Sequence, residues 1–193
     1  MEGDFDSPGY KELVLKMQRG EESAYQLVVD QYGKRVYNFA MRYANDDHFA
    51  CEVVQQTFIQ VFEKIDQLKD PSKLKSWLYR IASNNCISQG RSLSRRRKVE
   101  VDEALMHVAD APSPSHHIER KELKELVLNI LQLIPPEQRQ VIIMKEYEGL
   151  KFREIADILN TSENTIKARM YYGLDAMKKI MIQKNLTKDL YYE

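Results

Sequence analysis

FREIADILNTSENTIKARMYYGLDAM, residues 152–177, decides how this chain reads. Ile155, Ala156 and Leu159 repeat on one face of a short helix. Asn160 follows, a residue that tolerates left-handed backbone and so ends helices. Ser162 stands where its hydroxyl caps the free amides of the next helix. Ile166, Met170, Leu174 and Met177 then recur at helical spacing, which predicts one buried stripe. Two short helices joined by a tight turn make a helix-turn-helix. The outward side of the second helix offers Asn164, Thr165, Lys167, Ala168, Arg169, Tyr171 and Tyr172. In a major groove, Lys and Arg can read guanine edges and Ala can touch thymine methyls. The amino end, at Ser162, favours phosphate. A helical hairpin that only packs shares the geometry. The cap, the turn and the basic polar face together predict DNA binding.

Outward from this motif the pattern stays helical, and no stretch alternates as a strand would. Leu123, Leu126, Val127, Ile130, Leu131 and Ile134 form a stripe that Pro135-Pro136 ends; Val141, Ile142, Met144 and Tyr147 continue to Gly149. A C-terminal domain over 118–183 is predicted, followed by a polar tail, 184–193. Upstream, periodicity fails after Arg91, and Pro112 and Pro114 oppose a long helix, so 93–117 reads as a flexible linker. His116-His117 within it has no further ligands beside it and reads as solvated. Residues 10–92 form a first domain behind an acidic N-terminus, 1–9. There, Leu13 and Met17 mark a short helix ending at Gly20. Ser23 is placed to cap a long one carrying Leu27, Val28, Tyr32, Val36, Ala40 and Tyr43. An Asp of Asn45-Asp46-Asp47 caps a third, which is expected to bury Val54, Phe58, Val61, Phe62 and Ile65. After the turn at Asp70-Pro71-Ser72 comes a fourth, with Leu74, Trp77, Leu78, Ile81 and Ala82. The predicted fold is all-α: two small helical domains joined by a flexible linker, the C-terminal one containing the helix-turn-helix.

Composition narrows the function. No apolar run reaches the ~18–20 residues that cross a bilayer, and residues 1–9 lack a secretory pattern. Cys51 and Cys86 make neither zinc spacing nor a disulfide framework, which fits a reducing, cytoplasmic setting. Glycine is scarce, with seven residues, and there is no phosphate-cradling loop, carboxylate cluster or nucleophile–base string. No enzymatic activity, metal or cofactor is expected. The formal net charge is zero, but its distribution is uneven: Lys73, Lys75, Arg80, Arg91, Arg95, Arg96, Arg97 and Lys98 fall in a block without an acid. Such a block suits a polyanion, because neutralised phosphates release counterions.

That block overlaps Lys73-Leu74-Lys75-Ser76-Trp77-Leu78-Tyr79-Arg80-Ile81-Ala82-Ser83-Asn84-Asn85, where basic and amide side chains interleave with aromatics. Aromatics and amides can grip unstacked bases while cations track the backbone. Trp77, on the apolar stripe, reads mainly as packing; Arg80, Asn84 and Asn85 read as contacts. The preceding helix carries Glu52, Gln55, Gln56 and Gln60 outside its stripe, a solvated face or a partner surface.

At these residues the chain resembles the extracytoplasmic-function sigma factors of bacterial RNA polymerase, over roughly 10–92 and 118–180. Ala50-Cys51-Glu52-Val53-Val54-Gln55-Gln56-Thr57-Phe58 looks like the family's polymerase-docking helix. Ser76 to Ala82 with Asn84 looks like its −10 element reader. Leu133-Ile134-Pro135-Pro136-Glu137-Gln138-Arg139 looks like the start of its C-terminal domain. Glu148-Gly149-Leu150 through Thr165-Ile166-Lys167-Ala168-Arg169 looks like its −35 reader. The resemblance implies polymerase docking through Glu52, Gln55, Gln56 and Phe58. It implies −10 DNA contacts from Lys75, Trp77, Arg80, Asn84, Asn85 and Arg91, with a flipped base captured near Lys64–Lys73. It implies −35 contacts from Ser162, Asn164, Thr165, Lys167, Ala168, Arg169, Tyr171 and Tyr172. Partners implied are RNA polymerase core enzyme, promoter DNA and, as for many relatives, an anti-sigma factor; membrane insertion is not implied. Departures from the family are Cys51 and Gln56 at commonly acidic positions, Ser88 for Asp, Thr161 for an apolar turn residue and Tyr172 for Arg. Docking should thus lean on hydrogen bonds and apolar fit. The competing reading is a stand-alone helix-turn-helix regulator, which predicts tight palindromic binding without polymerase.

Overall fold

The computed structural model describes residues 9–103 and 120–184, with side chains over 10–91 and 123–184. The expected N-terminus, most of the linker with His116-His117, and the C-terminal tail lie outside the described residues. Among those described there is no strand. The helices are α1 (Gly9–Gln18), α2 (Glu22–Ala44), α3 (Asp47–Lys64), α4 (Leu74–Glu103), α5 (Arg120–Leu133), α6 (Pro136–Ile142), α7 (Phe152–Leu159) and α8 (Glu163–Gln183).

The first lobe is α1–α4. Asp46 caps α3 by accepting from Phe49 N at 2.8 Å, and Asn45, left-handed at φ 51°, closes α2. Val28, Tyr32, Val36, Phe39 and Ala40 of α2 meet Val53 and Val61 of α3 and Leu74, Leu78 and Ala82 of α4 in its core. Three expectations need correction. Ser23 is not the cap, since α2 starts at Glu22 behind Glu21. Leu27 and Phe62 are exposed rather than buried. The stripe of α2 instead passes through Ala24, Val28 and Tyr32, and the Phe62 ring rests on Tyr25, 4.8 Å between centroids.

α4 also runs on past Arg91, where apolar periodicity stops, to Glu103. Arg, Lys, Glu and Leu are strong helix formers and need no buried face. The helix therefore enters the segment expected to be linker. The backbone of the Arg95–Lys98 run is helical there, and its side chains lie outside the described residues.

The second lobe is α5–α8. Ile130, Leu131, Val141, Ile143, Met144, Leu150, Ile155 and Ile166 are among its most deeply buried side chains. After α6 the chain widens into a π-helical turn, Ile143–Tyr147. Gly149 then takes φ +65°, a left-handed value that turns the chain into α7. The stripe of α8 is Ile166, Met170 and Gly173, while Leu174, expected inside, is 48% exposed. Gly173 matters because a Cβ there would lie 2.8 Å from Ile142 Cδ1 and 3.1 Å from Gln138 Cβ. Alanine would regain about 1 kcal/mol of helix propensity against that crowding, whereas valine regains only a few tenths and adds two methyl groups. Gly173→Val is expected to cost about 1–3 kcal/mol by overpacking, read by denaturant titration; an unchanged midpoint would refute the close approach.

Candidate nucleic-acid and polymerase interface

The helix-turn-helix is assembled from local rules. Glu154 accepts from Lys151 N at 2.6 Å at the start of α7. Asn160 ends it with φ 49°, and Thr161 N donates back to Ala156 O at 3.0 Å. Ser162 Oγ accepts from Thr165 N at 3.1 Å and lies 2.8 Å from Thr165 Oγ1. Ser162 and Thr165 hydroxyls are therefore engaged in building the turn. Asn164, Lys167, Ala168, Tyr171 and Tyr172 are exposed, and Arg169 is half-buried. Lys167 pairs with Glu163 at 2.7 Å on this open face, a contact worth only about 0.3–0.5 kcal/mol in a helix. Tyr171 and Tyr172 stand edge to face, 5.6 Å apart. The face thus carries an exposed cation, an amide and two phenols, with the half-buried Arg169 beside them, at the amino-terminal half of a capped helix.

In the first lobe, Asn84 and Arg91 are exposed, and Lys75 and Trp77 are half-buried, with Trp77 packed on the core. Asn85 differs from its expected role. It is only 8% exposed; its amide donates to Thr57 Oγ1 at 3.2 Å and its Oδ1 accepts from Gln60 at 3.1 Å. Burying an amide requires that its hydrogen bonds be met inside the protein, and here they tie α4 to α3. Nothing local in the sequence separates Asn85 from exposed Asn84 except helical phase. The segment after α3 is fixed from outside: Gln18 donates to the carbonyls of Ile65 and Leu68, both at 3.2 Å. Asp70 accepts from Ser72 N at 3.1 Å and caps the turn Pro71–Lys73.

Glu52, Gln55 and Gln56 are exposed along α3, and Phe58 is half-buried against the core. Gln55 and Val54 border an open, largely apolar cleft of about 560 Å³ between α2 and α3, with Gly33, Lys34, Tyr37, Asn38 and Cys51 on its other sides. Cys51 is exposed and Cys86 buried. Burial pushes the Cys86 thiol well above its ordinary range, which leaves it unreactive. No group of three His, Cys, Asp or Glu among the described residues is placed to hold a metal. No helix among them is long and apolar enough to cross a membrane.

Sequence reasoning missed a set of groups that join the lobes. Tyr79 OH donates to the Glu148 carboxylate, and Arg42 Nη1 lies 3.7 Å from its other oxygen. Burial first, then the Glu148 charge, push the Tyr79 phenol far above its ordinary range, so it stays a donor. Arg139 donates to Tyr43 O at 2.6 Å, and Gln140 to Ser83 Oγ. Burial pushes the Tyr43 phenol up to about 12. Arg80 donates through Nε to Ile158 O at 3.2 Å and through Nη2 to Asp157 O. These pairs are separated by 57 to 106 residues, so no local pattern announces them.

Comparison with known proteins gives these surfaces their context. Residues 28–96 match sigma-70 region 2, and residues 124–177 match sigma-70 region 4. The RNA polymerase sigma-H factor of Pseudomonas aeruginosa is 27% identical, over 89% of this chain and 93% of that one. The ECF RNA polymerase sigma factor SigW of Bacillus subtilis is 28% identical, over 88% and 95%. Among solved structures, CnrH in complex with the cytosolic domain of CnrY superposes with a TM-score of 0.67 at 21% identity, covering 93% of this chain and 99% of that one. The sigma factor RpoE of Bartonella quintana, in complex with the anti-sigma factor NepR, gives 0.59 at 22% identity, over 81% and 96%. Both share the fold. With the two regions matched in order, together over well more than half of its length, and relatives that align nearly end to end, the chain belongs to the extracytoplasmic-function group of RNA polymerase sigma factors.

Proposed function

We propose that the protein directs core RNA polymerase to particular promoters and assists their opening, acting by binding and not by catalysing a reaction. Glu52, Gln55, Gln56 and Phe58, beside the apolar cleft of α2 and α3, dock the polymerase. Cys51 and Gln56 in place of acids make that contact one of fit and hydrogen bonds. Lys75, Arg80, Asn84 and Arg91 meet the −10 element, with Trp77 holding α4 in place and Asn85 setting its register on α3. Asn164, Thr165, Lys167, Ala168, Arg169, Tyr171 and Tyr172 meet the −35 element, with Ser162 forming the capped amino end. Residues 10–92 and 118–183 supply the two reading units, and the protein works where the polymerase is, in the cell interior. By analogy with CnrH and the Bartonella quintana RpoE, solved with CnrY and with NepR, an anti-sigma partner is proposed to cover the Gln55 face or the Thr165–Tyr172 face.

The observation that carries this reading is the capped second helix of the helix-turn-helix, its polar basic face open, on a chain whose other lobe matches sigma-70 region 2. Each reader alone binds modestly; held on one polymerase, the second binds at high effective concentration. Core polymerase with the purified protein is expected to initiate from a subset of a genomic promoter library on which core alone is silent. Silence of the mixture on the whole library would overturn the proposal, as would tight binding to palindromic DNA without polymerase.

A further inference from the structure

Glu163 is assigned no DNA contact above, yet it stands at the front of the DNA-facing helix. It is the first residue of α8, exposed, one turn before Lys167. Its Oε1 lies 2.7 Å from Lys167 Nζ. The Lys167 ammonium is met from a second side as well, 6.0 Å over the Phe152 ring of α7. An exposed pair of this spacing is ordinarily a loose surface contact. This one is held between two helices, at the place from which a recognition helix reaches base edges. Nor does the amino end need a carboxylate as its cap, since Ser162 Oγ already accepts from Thr165 N.

A carboxylate brought among phosphates is repelled unless a base donates to it. In the major groove only the amino groups of cytosine and adenine donate. A G·C pair sets cytosine N4, a donor, beside guanine O6, an acceptor; their own hydrogen bond holds them about 2.9 Å apart. The Glu163–Lys167 pair complements that edge, an acceptor and a donor at nearly the same spacing. The carboxylate takes the second N4 hydrogen while the ammonium donates to O6 and N7, and neither charge loses its partner. An A·T pair also offers a donor next to an acceptor, adenine N6 and thymine O4. There the thymine methyl fills the place where the ammonium finds N7 in guanine, so the fit is worse. We propose that Glu163 is a specificity-determining residue of the upstream reader, and that with Lys167 it selects one C·G base pair. The inference rests on the sigma-factor reading above.

The full chain is tested with core polymerase on a promoter that it transcribes, the upstream element randomised and the transcripts sequenced. At one position the unmodified chain is expected to favour C·G about tenfold or more over the other pairs, the usual effect of a mismatch. Glu163→Gln is expected to lower that preference to about threefold or less, and to leave preferences at other positions within about twofold of the original. Lys167→Gln is expected to weaken the same position. A carboxylate that only supports the helix would instead give an even fall across all positions, with helix lost by circular dichroism; that result overturns the proposal. So does an unmodified chain with no C·G preference, a Glu163→Gln profile identical to the original, or a Lys167→Gln effect confined to a different position. An unmodified chain that is silent with core polymerase on every promoter sinks the sigma-factor reading, and this inference with it.

Discussion

Reversing Lys167 and Arg169 to glutamate is expected to lower transcription from cognate promoters about 100-fold. A well-placed contact to a base edge contributes about 1–3 kcal/mol, and about 1.4 kcal/mol is a factor of ten. Two such contacts, lost together and replaced by repulsion of the DNA backbone, account for that magnitude. Folding should change little. Lys167 is exposed and its bond to Glu163 lies on the surface, so the new like-charge pair costs only a few tenths of a kcal/mol. The measurement is start-site mapping after controlled expression, with circular dichroism to show that the helices persist. Unchanged start sites would remove α8 from the DNA. The fall should also be confined to promoters with a matching upstream element, because docking through α3 is untouched.

Tyr79→Ala is expected to destabilise the first lobe by about 3–5 kcal/mol, the range for deleting a buried aromatic side chain. Tyr79 is fully buried, and its ring meets Phe39 edge to face with centroids 5.9 Å apart. The truncation opens a cavity between α2 and α4 and strips the buried Glu148 carboxylate of its donor. Small domains have only about 5–15 kcal/mol of stability in all, so the variant should unfold at markedly lower denaturant. Tyr79→Phe keeps the ring and removes only the hydroxyl, so it should spare the first lobe while loosening its hold on the second. A loss below 1 kcal/mol for Tyr79→Ala would mean that the ring is not the keystone its burial indicates.

What could be read from residues alone followed locality. Asn160, Ser162 and Gly149 act on their nearest neighbours, and the helix-turn-helix was legible from them, with Ser162 at the start of α8 as expected. Asp46 as a cap was legible for the same reason. Apolar periodicity served less well where a stripe is curved or where a residue fills a role without being apolar. Gly173 is buried because two helices approach closely there, and a pattern search for large side chains passes it over in favour of Leu174. Leu27 and Phe62 count as apolar but face outward. Asn85 and Asn84 share a chemistry and differ in helical phase, so only packing separates the buried one from the exposed one. In the candidate site, the exposed polar faces of α3 and α8 were legible. The cleft beside Gln55 and the engagement of Arg80 were not, since each depends on a second helix far away in sequence.

The continuation of α4 to Glu103 bears on geometry at the promoter. Sixteen residues lie between Glu103 and Arg120, and a chain of that length can stretch at most about 55–60 Å. A longer tether, beginning at residue 93, would have tolerated almost any distance between the DNA sites. Eleven residues, 93–103, wound as helix instead make a stiff rod of about 16 Å, which fixes where the tether departs and in what direction. A shorter tether leaving from a fixed point narrows the range of promoter spacings over which both readers can be in contact at once, so the helix sets an outer limit on reach.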